Sequence, residues 1–420
     1  MDRLIYVHVD LDNEPVLVGR LWSRLRRDRE SATFEYDGNW LQRSDRFSLE
    51  PALTLGEGPH HTERGKALFG AIGDSAPDRW GRVLMRRAER QNAEKEKRAP
   101  RTLLEADFLL MVDDEARQGA LRFSLEPGGP FLALHEDAKR IPPLLQLGRL
   151  LSASEKVVDE ADSDEDLRLL LAPGSSLGGA RPKASVRDRD GRLLIAKFPQ
   201  KNDEHNMVLW EAIALQLAQR AGIGVPDWRI EEIAGKSVLL LRRFDRLGNG
   251  YRVPFLSAMS MLGATDNETR SYLEVVDALR QYGSLPEKDM HELWRRIVFS
   301  ILISNTDDHL RNHGFLYDGT GWTLSPAYDL NPTPVDIKPR ILSTAIDEED
   351  TRASLKLAFS VIDYFELEKK VAQKIVAEVA DAVSHWRDAA RACGVKNHEV
   401  ERMASAFEHD DAKAALELTR

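Results

Sequence analysis

Short alternating runs open the chain. LIYVHVDL (4–11) and PVLVGRLW (15–22) flank Asp12-Asn13-Glu14, which predicts a hairpin, and strands with turns continue to about residue 60. From about 65 to 115 the spacing turns helical. Within GDSAPDRWGRVLMRRAER, Ser75 is placed to cap a helix with Pro77 in its first turn and Asp78 at its favourable end. ALRFSL (120–125) closes this part as a strand. Residues 135–172 carry Pro142-Pro143 and an acidic run from Asp159 to Asp166, the composition of a linker or mobile surface region.

The texture changes after 173. PGSSLGGARPKASV leads into a hairpin, Ala184 to Arg187, then the turn Asp188-Arg189-Asp190-Gly191, then RLLIAKF. A helix is predicted from about 203 to 221, and WRIEEIAGKSVLLLRRF (228–244) reads as two strands meeting at Ala234-Gly235. Beyond 265 the pattern is helical near 270–281, 288–303, 366–392 and 397–417, interrupted around 305–345. The predicted fold is α+β, a protein-kinase-like bilobal arrangement. Its parts are an N-terminal subdomain of strands and helices (1–135), a mixed α/β N-lobe with phosphate loop and hinge (136–255) and an all-α catalytic lobe (256–420).

Composition narrows the function. A net charge of −10 argues against broad nucleic-acid or membrane binding, and the basic clusters at Arg24–Arg27 and Arg86-Arg87 read as solvated faces. The lone cysteine, Cys393, has no internal disulfide partner, no apolar segment approaches 18 residues, and the N-terminus lacks a signal-peptide pattern, so a soluble, cytoplasmic protein is expected.

The chemistry concentrates in ILISNTDDHLRNHGFL (301–316), where an apolar run meets a dense polar set. Asp307 and Asn312 stand five positions apart, the spacing of a kinase catalytic loop, in which the Asp receives the substrate hydroxyl proton and the Asn binds magnesium; Asn305 and Asp308 do not reproduce it. GFLYDGTGWTLS then reads as a hairpin that carries Asp329 back toward Asn312, and two oxygen ligands suit Mg2+. A zinc reading of Asp307, His309 and His313 is weaker: no cysteine is near and the histidines lie in a loop. Upstream, Lys197 sits on a strand among apolar residues. Glu211 occupies the apolar face formed by Met207, Ala214, Leu215 and Ala218, so a Lys197–Glu211 pair is expected. GSSLGGARPK matches neither a Walker A nor a Gly-x-Gly-x-x-Gly motif, yet placed ahead of this hairpin it serves as a lid whose backbone N–H groups cover phosphates, with Ser175 and Ser176 beside the nucleotide.

Taken together, GDSAPDRWGR, SSLGGARPK, AKFP, RRFDR, NTDDHLRN and AYDLNP, in this order, resemble the HipA family of serine/threonine kinases, the toxins of bacterial type II toxin–antitoxin systems. The resemblance spans nearly the whole chain. It implies Asp307 as catalytic base, His309 as the catalytic-loop histidine, and Asn312 and Asp329 as magnesium ligands. ATP would be bound by Lys197 at the α/β-phosphates, by Gly178, Gly179 and Lys183 in the mobile loop, and by the hinge Arg242-Arg243-Phe244 through its backbone. Ser176, with Ser175 beside it, stands where the family autophosphorylates. Arg242 departs from an acidic residue found in the family. The family further implies a helix-turn-helix antitoxin, operator DNA reached through that antitoxin, and a translation-related protein substrate such as an aminoacyl-tRNA synthetase. Two alternatives remain open from the residues alone: a small-molecule phosphotransferase of the aminoglycoside- or choline-kinase type, and a non-catalytic kinase-fold binding module.

Overall fold

A computed structural model describes residues 2–131, 141–171, 179–248, 250–266 and 268–419. Compactness divides the chain into two units, Met1–Lys201 with Glu231–Leu256, and Asn202–Ile230 with Ser257–Arg420. The fold is mixed α+β, with antiparallel sheets and helices.

In the first unit, β1 (Asp2–Leu11), β2 (Glu14–Arg26), β3 (Arg29–Tyr36), β4 (Pro59–His61) and β5 (Leu121–Ser124) form a sheet ordered β4-β3-β2-β1-β5. The β1–β2 hairpin closes on Asp12 and Asn13, both left-handed at φ 53 and 66, as a two-residue turn between right-twisted strands requires. Helices α1 (Gly38–Gln42), α2 (Gly70–Gly73), α3 (Arg79–Lys95) and α4 (Glu105–Met111) occupy the predicted helical region. The cap of α3 is Asp78, not Ser75. The Asp78 carboxylate accepts from Gly81 N at 2.8 Å, whereas Ser75 follows α2 and its hydroxyl donates to Ala71 O.

The predicted linker is corrected more sharply. Its described part holds α5 (Leu147–Val158) and α6 (Asp164–Leu171), and their Leu147, Leu150, Leu151, Val157, Leu167 and Leu170 are core residues. They pack with Trp80 and Leu84 of α3 against Ala184, Val186, Leu194, Ala196, Val238 and Leu240 of the second sheet. The acidic run is the turn before α6 and its first turn, where Asp164, Glu165 and Asp166 complement the helix dipole. That sheet includes β6 (Lys183–Arg187), β7 (Leu193–Lys197) and β9 (Lys236–Arg242), antiparallel, with Ala184 opposite Ala196 and Ile195 opposite Leu241. β8 (Trp228–Ile233) joins β9 through Ala234-Gly235, again both at positive φ.

After β10 (Phe255–Ser257) the chain is helical apart from one hairpin. The second unit holds α7 (Met207–Arg220), α8 (Ala258–Met261), α9 (Tyr272–Tyr282), α10 (Pro286–Leu302), α11 (Leu355–Ser360), α12 (Lys369–Ser384), α13 (Trp386–Ala392), α14 (Asn397–Phe407) and α15 (Asp410–Glu417). The two long predicted C-terminal helices are each broken, at His385 and at Glu408-His409. The breaks let Trp386 stack on Phe407 at 4.6 Å, with Trp210 of α7 against the pair. α10 is the axis of this unit, burying Leu293, Trp294, Ile297, Val298, Phe299 and Ile301 completely.

Candidate active site

α10 ends where the chemistry begins. Ser304 takes a left-handed conformation (φ 52) just past the helix, and the chain turns into the polar loop. Asn305 is buried with its N–H on Ser300 O at 2.9 Å. Asp307 is exposed at the turn. Its carbonyl accepts from Asn312 Nδ2 at 3.0 Å and from the His309 N–H at 2.9 Å, so the two residues predicted from spacing are joined by a hydrogen bond across a 3-10 turn. The Asn312 amide nitrogen is thereby used, which leaves its Oδ1 as an oxygen donor. His309 is half-buried, and its Nδ1 has no hydrogen-bond partner among the described residues.

The neighbouring Asp308 points the other way. It is 3% exposed, receives Tyr272 Oη at 2.6 Å and Ser300 Oγ at 3.1 Å, and lies 3.0 Å from His313 Nε2. Burial pushes its carboxyl up, but the His313 ring with Tyr272 and Ser300 outweighs this and holds it below the ordinary carboxylate range. His313 is buried edge-on to Tyr272.

β11 (Gly314–Tyr317) and β12 (Trp322–Leu324) form the predicted hairpin, with Asp318 Oδ1 accepting from Thr320 N and Gly321 N in its turn. It brings the chain back. Tyr328 Oη donates to Arg311 O at 2.7 Å, Asn331 N to Asn305 Oδ1 at 3.3 Å and Thr333 N to Ser304 O at 3.2 Å. Asp329 lies between these fastenings with φ 55, a backbone conformation few non-glycine residues hold and one that recurs at functional sites. A third segment supports the loop from below: Lys338 Nζ and Ser343 Oγ both donate to Thr306 O, and Thr344 Oγ1 donates to Asp308 O at 2.7 Å. Sequence reasoning missed this segment because its contacts go to backbone carbonyls, which leave no residue pattern.

The remaining predicted residues lie in their own units. In the first, Gly179 has φ 85, and a Cβ there would stand 3.0 Å from Lys183 Nζ. Lys183 is on β6, not in a loop; its amine is buried against Asp78 at 3.1 Å, which neutralises it opposite Lys197 in the β6–β7 register. Lys197, half-buried, ends β7. Arg242 ends β9, half-buried, and the Phe244 ring stands 6.3 Å from that of Phe255. Arg243 corrects the hinge expectation: its N–H bonds Leu193 O, and its fully buried guanidinium holds Asp245 and the carbonyls of Ala116 and Arg117. That makes it a strut of the first unit. In the second unit, Glu211 is buried on α7. Ser175, Ser176 and Gly178 fall outside the described residues.

Among known proteins, residues 175–408 match the HipA-like C-terminal domain, and residues 12–106 match the HipA N-terminal domain. The chain belongs to the HipA family. A solved structure with the same fold is HipA of Shewanella oneidensis MR-1, described in complex with HipB and its operator DNA. It has TM-score 0.65 at 16% identity, covering 99% of this chain and 96% of that one. Sinorhizobium fredii has a relative named "Putative kinase Y4mE", 24% identical over 356 residues, 77% of this chain and 78% of that protein. "Toxin YjjJ" of Escherichia coli is 24% identical over 201 residues, 46% of this chain and 44% of that protein. Within this HipA-family chain, the matched C-terminal region contains the whole Asp307–Asp329 constellation.

Proposed function

We propose that the chain is an ATP- and magnesium-dependent serine/threonine protein kinase acting as the toxin of a toxin–antitoxin pair. The observation that carries this reading is the division of labour between adjacent aspartates: Asp307 is exposed and hydrogen-bonded through its carbonyl to Asn312, while Asp308 is sequestered. In the transfer, a substrate hydroxyl oxygen bonds to the γ-phosphorus of ATP, the bond from that phosphorus to the β–γ bridging oxygen breaks, ADP leaves, and the hydroxyl proton passes to the Asp307 carboxylate. Magnesium, when bound, neutralises charge on the phosphate oxygens. Among the described residues no group of three or more His, Cys, Asp or Glu is arranged to hold a metal. An amide oxygen from Asn312 and a carboxylate from Asp329 nevertheless suit this cation, which keeps waters and takes phosphate oxygens for its other positions.

Lys197 pairs with the α/β-phosphates and is steadied by Glu211, while the segment around Gly178 and Gly179 covers the phosphates. For Lys183 to join them, its ion pair with Asp78 must open. Asp329 in its left-handed turn and the orphan His309 Nδ1 are further support, since unsatisfied and strained groups gather where a ligand completes them. Ser176, with Ser175, is the self-modification site: a phosphate of about −1.5 to −2 charge there opposes the triphosphate that the loop covers. The partner is a helix-turn-helix antitoxin, with operator DNA bound through it, by likeness to the Shewanella complex. The protein substrate is translation-related, such as an aminoacyl-tRNA synthetase, and the protein works in the cytoplasm. Among the described residues no helix is long and apolar enough to cross a membrane.

The test is incubation with Mg-ATP followed by peptide mass spectrometry and labelled transfer to lysate proteins. The reading requires one phosphate on the peptide holding Ser175 and Ser176 and label on an external protein. Absence of both rejects the kinase; label on a protein with that peptide unmodified rejects only the self-modification.

A further inference from the structure

We propose that Asp308 is the positioning residue for Asp307, acting as the buried anchor that sets the direction of the exposed carboxylate beside it; this rests on the kinase reading above. A base must stand within hydrogen-bond reach of the hydroxyl it serves, and a displacement of 1 Å can cost about 10²-fold in rate. Asp307 is in an exposed turn, and its own side chain has no packing to orient it. The peptide it hangs from is held instead.

On one side, the Asp308 carboxylate is fixed by groups from three different elements: Tyr272 at the start of α9, Ser300 in the last turn of α10, and His313 before β11. On the other, the Asp308 carbonyl accepts from Thr344 Oγ1. The ring of contacts closes on itself, because Tyr272 N also bonds Ala345 O at 2.9 Å, next to Thr344. Side chain and carbonyl are thus pinned in opposite directions by one continuous framework. Rotating the 307–308 peptide would leave a buried carboxylate or a buried hydroxyl unpaired, at a cost that exceeds ordinary loop mobility. With 3% exposure and three partners, Asp308 is itself unable to reach a substrate or a cation. The adjacent pair is one acting and one positioning carboxylate, which the loop's spacing alone does not reveal.

The experiment compares Asp308→Asn, Tyr272→Phe, Thr344→Val and Thr344→Ser for phosphoryl transfer, Mg-ATP thermal shift and amide hydrogen exchange across 305–312. Tyr272→Phe and Thr344→Val keep volume and fold. They are expected to lower kcat about tenfold, and Asp308→Asn up to about 10²-fold, with KM for ATP within about twofold of wild type. Thr344→Ser, which keeps the hydroxyl, should restore the rate. Exchange protection of the loop should fall in Tyr272→Phe whether or not activity is measurable. Wild-type kcat and unchanged protection in both Tyr272→Phe and Thr344→Val overturn the proposal, as does a Thr344→Ser no better than Thr344→Val. Lost protection in Tyr272→Phe together with a wild type that transfers no phosphate faults the kinase reading and leaves the anchor standing.

Discussion

Arg243→Ala separates two roles for one residue. In the hinge reading, Arg243 contributes to adenine binding; in the structure it is a buried strut whose Nε and Nη2 hold Asp245 at 2.8 and 2.5 Å and whose Nη1 and Nη2 hold Ala116 O and Arg117 O. Burial pushes the Asp245 carboxyl up, and the Arg243 and Arg246 charges outweigh it to hold the group far below the usual range. Removing Arg243 strips the larger compensating charge and leaves two carbonyls without that donor. Breaking a buried pair in this way costs about 3 to 5 kcal/mol. For a unit of this size that is a fall in melting temperature of roughly 10 °C. The assay is thermal denaturation with and without Mg-ATP, with the half-exposed Arg242→Ala as control. Arg243→Ala should melt well below wild type yet keep its added stabilisation by Mg-ATP while folded. A variant with wild-type melting temperature and no response to Mg-ATP would refute the strut and restore the adenine contact.

Asp329→Asn should keep the fold, because asparagine tolerates the left-handed backbone at φ 55, and lose the thermal stabilisation by Mg-ATP, about 2.7 kcal/mol at a ligand concentration of 100 Kd; an undiminished shift would remove Asp329 from the cation site. Glu50 gives a pH dependence in the first unit: burial, partly offset by the Ala71 N–H, raises its carboxyl from 4.5 to about 7. Its folded pKa is the higher one, so its contribution is complete below pH 4.5 and is lost as pH rises through 7, at most roughly 3 kcal/mol. Glu50→Gln should narrow the difference in melting temperature between pH 5 and pH 8, and an unchanged difference would show that the group does not titrate in this range.

Where period and turn chemistry agree, the sequence was sufficient. The hairpins at Asp12-Asn13, Asp188–Gly191, Ala234-Gly235 and Asp318–Gly321 form as read, because each turn holds residues that accept the backbone its strands demand. The linker was misread because charge between Asp159 and Asp166 masked the helical spacing of Leu147, Leu150, Leu151, Leu167 and Leu170; a short solvated turn between two buried helices has the composition of a linker. In the site, the five-residue spacing selected Asp307 and Asn312, and the hydrogen bond between them is what that spacing provides. The burial of Asp308 and the support from Lys338, Ser343 and Thr344 depend on long-range packing onto carbonyl groups. Lys183 and Arg243 misled for a related reason: a buried cation reads like a ligand-binding one until its carboxylate, distant in sequence (Asp78) or adjacent (Asp245), is seen to be pointed at it.

The most direct test of the exposed aspartate as base is the rate of γ-phosphate transfer from labelled Mg-ATP by the Asp307→Asn chain, measured beside wild type at matched melting temperature. Asparagine keeps the side-chain volume and leaves the Asn312 bond to the backbone carbonyl intact, so only the proton acceptor is lost. The account predicts a fall of about 10²-fold or more, with Mg-ATP stabilisation retained. Transfer by Asp307→Asn at the wild-type rate would contradict it.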